Sequence, residues 1–355
     1  MEYGPCGGVE FDGTCEVAAH ACVFLETPTV AWHGVVAAGE PDGAIVRLAA
    51  ADPLPAAVAS AGAATMRALI GTRHIVVADF PAAALDAESI ADCATVLAGN
   101  VDAVLAGDSG AARVQFPPAY RARLIQSAGL AVWSGLNCRD RNRVALEGEL
   151  AALAHAGVAG IHSVTGDHTL TGSRPDAAPV FDLDSTELAA LAARAGHLVS
   201  VAEAPCSPPI AQRAARLLEK ERAGAEICFV NHCGGVEPVR AFIEAARALG
   251  SRAGFIPCVP IVIDRESAEL LLSFTTLVLP DGYLEGILAA GSEEGVRAAG
   301  IAAAVELARG FLGIDGVVGV NLSGGGTPDR AVEFAQALAE IGRRIRKNLD
   351  DGSGS

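Results

Sequence analysis

Aromatic residues are scarce, at 5% of 355 residues, and positive charge is in short supply, with 26 Lys and Arg against 42 Asp and Glu. The formal charge of −16 and the shortage of stacking rings argue against a nucleic-acid partner, because phosphate backbones reward Lys and Arg. No apolar run approaches the roughly 18 residues that a membrane span needs, although the mean hydropathy is +0.36. The opening MEYGPCGG lacks a basic stretch and an apolar stretch, so no secretory leader and a cytoplasmic location are expected. No CxxC pair occurs among the nine cysteines, and no GxGxxG follows the first strand-like run.

Cys138, Cys228 and Cys258 sit in or beside apolar runs and read as small buried hydrophobes of a reducing compartment. Cys6, Cys15 and Cys22 lie in a Gly-rich opening stretch, 1–26. Three thiolates leave a tetrahedral zinc site one ligand short, and His20 stands at no recognised spacing to Cys22, so no metal is expected. Within the linker region 27–71, residues 44–48 could form a strand and 54–69 an Ala-rich helix, with no role assigned. The end of the chain, 349–355, reads as a disordered tail.

From residue 72 the chain alternates apolar strands with amphipathic helices. Strands are expected at 74–80, 101–106, 130–136, 158–164, 198–203, 226–231, 253–259 and 316–322. Helices are expected at 91–98, 145–155, 185–195, 210–223, 238–249 and 296–310. Strict alternation implies a parallel sheet with right-handed crossovers. Eight units over about 275 residues match a (β/α)8 TIM barrel, with a doubly wound open sheet as runner-up. The expected organisation is an N-terminal extension at 1–71, a barrel at 72–348 and the tail.

In such a barrel the chemistry sits at the carboxyl ends of the strands. Those ends carry Asp79, Asp108, Asn137 to Asp140, Asp167 with His168, Glu203, Asn231 with His232, and Asn321 before a Gly-rich SGGGT. The stretch 158–167, VAGIHSVTGD, is the most pointed of these, an apolar strand stopping on a glycine and a carboxylate. By spacing alone Asp167 reads first as a helix N-cap. SGGGT reads as a turn, with a phosphate loop as the rival.

Two motifs change the weighting. LNCRDRNRVAL (136–146) followed by HSVTGDH (162–168) resembles the methylenetetrahydrofolate reductase family, and VDAVLAGDSGAARVQFP (101–117), VFDLDSTEL (180–188) and KERAGAEICFVN (220–231) keep register with it. The likeness covers 73–344. GPCGGVEFDGTCEV (4–17) resembles the end of the cysteine-rich domain that follows the barrel in the longer reductases, although here it precedes the barrel.

The resemblance implies reduction of 5,10-methylenetetrahydrofolate to the 5-methyl form by hydride from NAD(P)H, through FAD in the family. It makes Asp167 the stabiliser of an iminium cation and Asp79 the general acid, where the family usually has a glutamate. Asn231, Asp108, Asn137 and Glu203 become substrate-binding, and Thr165, Gly166, His168 and Lys220 cofactor-binding, with Lys220 near flavin phosphates and Arg213 two turns earlier on its helix. Against the flavin stand Gly135, where the family often has a histidine, and the sixth-strand end NHCGG, where it tends to have an aromatic. A flavin-free reductase therefore stays open. So do a relative that moves the one-carbon unit without reducing it, a non-catalytic folate- or partner-binding barrel, and assembly as a homo-oligomer or with a partner subunit.

Overall fold

The computed structural model describes residues 12–15, 18–21, 58–107, 112–274 and 277–352. Eight parallel strands close into a barrel: β1 (Ile75–Asp79), β2 (Ala103–Ala106), β3 (Val132–Asn137), β4 (Gly160–Val164), β5 (Val199–Glu203), β6 (Ile227–Val230), β7 (Gly254–Pro260) and β8 (Gly319–Ser323). Closure is made by β8 pairing with β1, Asn321 opposite Val77. Every strand falls where the apolar runs placed it, and the (β/α)8 barrel is the fold. The runs are legible because a strand buried on both faces reads as continuous apolar sequence; all six residues of β3 are buried.

The helices in chain order are α1 (Ala61–Ile70), α2 (Ala87–Leu97), α3 (Pro118–Gln126), α4 (Arg143–Ala156), α5 (Ser185–Arg194), α6 (Arg213–Arg222), α7 (Val236–Ala248), α8 (Arg265–Leu272), α9 (Tyr283–Leu288), α10 (Glu293–Leu312) and α11 (Ala331–Gly352). Several of them start at a capping side chain. Asp86 caps α2, Asn142 caps α4, and Asp184 with Glu187 forms a capping box on α5. None of these helices is long and apolar enough to cross a membrane.

The core divides in two. One part lies between the strands and the helical ring. The other fills the barrel interior, where Ile75, Val77, Trp133, Phe229 and Ile256 stack above Ala63 and Met66 of α1. Helix α1 thus plugs the amino-terminal end of the barrel. Its Arg67 binds Glu226 through both carboxylate oxygens, at 2.8 and 2.6 Å, and donates to His197 O at 2.8 Å.

Helix α1, in the stretch expected as extension, packs Ala63 and Met66 into the barrel core. The Ala-rich pattern marked a helix but could not say what its small face packs against. At the other end, α11 continues to Gly352, four residues into the expected tail. In the extension, Thr14–Cys15 and Ala18–Ala21 pair antiparallel. Cys6, Cys22, the side chain of Cys15, the expected strand 44–48 and Asp108 lie outside the described residues.

Candidate active site

At the carboxyl ends of β2 to β6 the barrel opens into a cavity of about 350 Å³. Its floor includes His162 of β4. The imidazole Nδ1 lies 2.9 Å from Ser200 Oγ, which also accepts from Trp133 Nε1 at 2.9 Å and donates to Ile161 O at 3.3 Å. Ser200 has one hydroxyl hydrogen to give, to Nδ1 or to Ile161 O, so the contact holds the ring in place in either neutral tautomer. Burial, and then the charge of Lys220, push this histidine down to about 4, leaving it neutral.

β3 supplies one wall through Gly135 and Asn137. A Cβ at Gly135 would stand 2.7 Å from Gly107 Cα, so the crossing of β2 and β3 excludes any side chain there. The segment 139–142 then splits its roles. Arg139, almost fully buried, grips Asp140 in a bidentate pair at 2.7 and 2.8 Å and lines the cavity. Asn142 accepts the Ala145 N–H as the cap of α4.

From β4 the chain turns through Thr165 and Gly166 to Asp167, all three on the cavity wall. Gly166 adopts φ +91°, which an L side chain rarely reaches, and a Cβ there would press on Asn137 and Arg139 at 3.2 Å. Thr165 Oγ1 accepts the Ser185 N–H at 3.1 Å, anchoring the turn on α5. Asp167 is about one-third exposed and faces Arg113 at 3.4 Å. Arg113 is itself buried and donates to Thr171 O at 2.9 Å. The carboxylate of Asp167 caps no helix and stands open to the cavity, so the spacing-based reading gives way.

Glu203, at the end of β5, is fully buried. Lys220 of α6 holds it at 2.5 Å while also donating to Ala202 O, and Arg213 lies 3.7 Å from the other oxygen. Three buried polar atoms on the cavity wall lack a hydrogen-bond partner among the described residues: Asn137 Nδ2, Ser163 Oγ and Glu203 Oε2. Buried polar groups are almost always paired, so these three atoms have bonding capacity to offer a polar ligand or water at the wall. Asn231 also lines the cavity, with Oδ1 accepting the His232 N–H.

Five cations line the cavity (Arg113, Arg139, Arg213, Arg216 and Lys220) against two carboxylates, Asp167 and Glu203. In a chain of charge −16 this is a local reversal of sign.

Asp79 occupies the opposite sector, between β1 and β8, and does not line this cavity. Asn321 Nδ2 donates to one oxygen at 2.9 Å and the Gly324 N–H to the other at 3.2 Å. Desolvation pushes Asp79 above the usual carboxylate range, with bonds from Asn321, Ser323 and Gly324 pulling the other way. The glycine-rich SGGGT therefore serves, at least through Gly324, to hold Asp79.

No family model matches the sequence, and neither does any curated protein. Among solved structures, a protein from Clostridium thermocellum that binds two copies of 5-methyl-5,6,7,8-tetrahydrofolic acid superposes with a TM-score of 0.57. It is 11% identical, and the match covers 79% of this chain and 99% of that one. A 2,3-dimethylmalate lyase of the PEP mutase/isocitrate lyase superfamily matches at TM-score 0.44 and 14% identity, over 84% of this chain and 89% of that one. The first of these likenesses agrees with the barrel fold.

Of the residues expected at the site, Asp167, Asn137, Glu203, Asn231, Thr165, Gly166 and Lys220 meet at one cavity. His168 does not line it; its Nδ1 accepts the Leu170 N–H and its ring lies over Phe181. Lys220 and Glu203, expected to serve cofactor and substrate separately, are bound to each other. Arg113, Arg216, His162 and Ser163 were not foreseen. The spacing of Arg213, Arg216 and Lys220 on one helix face was a readable signal; Arg113 comes from a loop and offered none.

The described residues do not fit a flavin as the resemblance implied. The lysine meant for its phosphates is neutralised by Glu203, the Thr165 hydroxyl already accepts a backbone N–H, and His168 lies off the wall.

Proposed function

We propose that the chain is a methylenetetrahydrofolate reductase-like enzyme. It binds a folate at this cavity and reduces the one-carbon bridge with hydride passed directly from NAD(P)H. One observation carries the reading. LNCRD and HSVTGD, the two segments on which the family resemblance rests, contribute Asn137, Arg139, Thr165, Gly166 and Asp167 to the same cavity wall. The Clostridium thermocellum protein of like fold, which binds 5-methyltetrahydrofolate, supports the choice of ligand class.

Opening the methylene bridge requires a proton on the departing nitrogen and leaves a cationic iminium carbon, which accepts the hydride. In this reading the pterin extends from the cavity across the barrel mouth to Asp79, whose raised proton affinity makes it the proton donor. Asp167 offsets the cation, its own charge steadied at a distance by Arg113. The basic wall suits the carboxylates of a folate tail. Neutral His162 adds an uncharged hydrogen-bonding ring nitrogen at the floor for the pterin.

The test is anaerobic incubation of the purified full chain with 5,10-methylenetetrahydrofolate and NADH or NADPH, without added flavin. The reading expects nicotinamide oxidation matched by 5-methyltetrahydrofolate. A dependence on added FAD would restore the flavin route. No turnover together with no binding of 5-methyltetrahydrofolate would remove the folate reading.

A further inference from the structure

Beside the cavity two cysteines meet. Cys206 follows β5 by three residues and Cys233 follows β6 by the same number. The Cys206 Sγ–H donates to Cys233 O at 3.5 Å, which sets the two thiol-bearing residues side by side. Cys206 is partly exposed whereas Cys233 is buried.

Both loops are held in place by other contacts. Arg213 Nε donates to Ser207 O at 2.8 Å, the Ser207 N–H returns to Ala204 O at 3.0 Å, and the Gly234 N–H donates to Val278 O at 2.7 Å. The two loops therefore hold Cys206 against Cys233 on a fixed frame. By contrast Cys93, Cys138 and Cys228 are buried thiols that serve packing.

We propose that Cys206 and Cys233 are a redox-active thiol pair, a modification site at the barrel mouth that low-molecular-weight disulfides convert to an intramolecular disulfide. An accessible sulfur against a buried one is the arrangement of an attacking and a resolving thiol. The Cys206 thiolate attacks one sulfur of the small disulfide, whose S–S bond breaks to release a thiolate. Cys233, after giving up its proton, attacks the Cys206 sulfur of the mixed disulfide. The protein disulfide forms and the second small thiol leaves, so two protein thiols are oxidised and one small disulfide is reduced. The hydrogen bond from Cys233 outweighs burial and brings Cys206 down to about 7, which supplies thiolate at neutral pH. The bond would tie the β5 loop to the β6 loop, beside Glu203 and Asn231. The proposal does not depend on the folate reading.

The experiment treats the reduced full chain with oxidised glutathione, then alkylates with iodoacetamide and maps peptides by mass spectrometry. The expected product is a peptide joining Cys206 to Cys233, cleaved by dithiothreitol. Cys233→Ser should stop at a glutathionyl adduct on Cys206, and Cys206→Ser should leave Cys233 unmodified. The proposal is overturned if both cysteines of the wild type remain alkylated, or if Cys206 pairs instead with Cys6, Cys15 or Cys22.

Discussion

Lys220 Nζ stands 2.5 Å from Glu203 Oε1 inside the barrel wall, with the carboxylate fully buried. Such a pair stabilises little by itself but is costly to break, because the survivor is an uncompensated buried charge. Lys220→Met should cost about 3–5 kcal/mol of folding stability. The double variant Lys220→Met with Glu203→Gln should recover part of that. Urea denaturation of the two singles and the double measures the coupling; strictly additive losses would show that the contact carries none.

Acid should unfold the protein earlier than its carboxylates alone would. His162 and His232 are buried and held down to about 4 by desolvation, against 6.5 in the unfolded chain. The unfolded state takes up protons first as pH falls. Stability from the neutral imidazoles is thus complete above 6.5 and lost between there and about 4, on the order of 3 kcal/mol for each. Melting at pH 7 and pH 5 should show the drop, and His162→Gln should reduce it. An unchanged slope in that variant would mean that His162 titrates normally.

Asp79 should set the alkaline limb of turnover. Its raised proton affinity keeps it a donor at higher pH than an ordinary carboxylic acid. The rate should therefore fall as pH rises through its shifted pKa. Asp79→Asn should lose at least tenfold in turnover, about 1.4 kcal/mol. Asn321→Ala removes a bond that favours the charged form and should move the limb further up. A limb that stays in place in Asn321→Ala would exclude Asp79 as its origin.

Arg113 reaches Asp167 from a loop two strands away. Arg113→Met should weaken binding of an anionic folate about tenfold and flatten its salt dependence. Titration calorimetry at two ionic strengths checks both effects.

The barrel was legible because strands buried on both faces cannot hide their apolar runs, and the same runs located every strand end. The role of α1 was not legible, since a small-residue face says nothing about its partner. The site divided along the same line. Asp167 and Asn137 lie on regular strand ends and could be placed from sequence. The Lys220–Glu203 pair depends on a helix facing a strand some seventeen residues earlier in the chain. The Ser200–His162–Trp133 chain depends on side chains from three strands meeting in the barrel interior. Neither relationship leaves a mark on local spacing.

The central claim, that Asp167 stabilises a folate iminium, is tested most directly by comparing wild type with Asp167→Asn. The measurement is methylenetetrahydrofolate-dependent oxidation of NAD(P)H, with melting temperatures confirming that both are folded. The expected result is a turnover at least tenfold lower in the variant, about 1.4 kcal/mol of transition-state stabilisation, with 5-methyltetrahydrofolate still bound. Equal rates in the two proteins would contradict it.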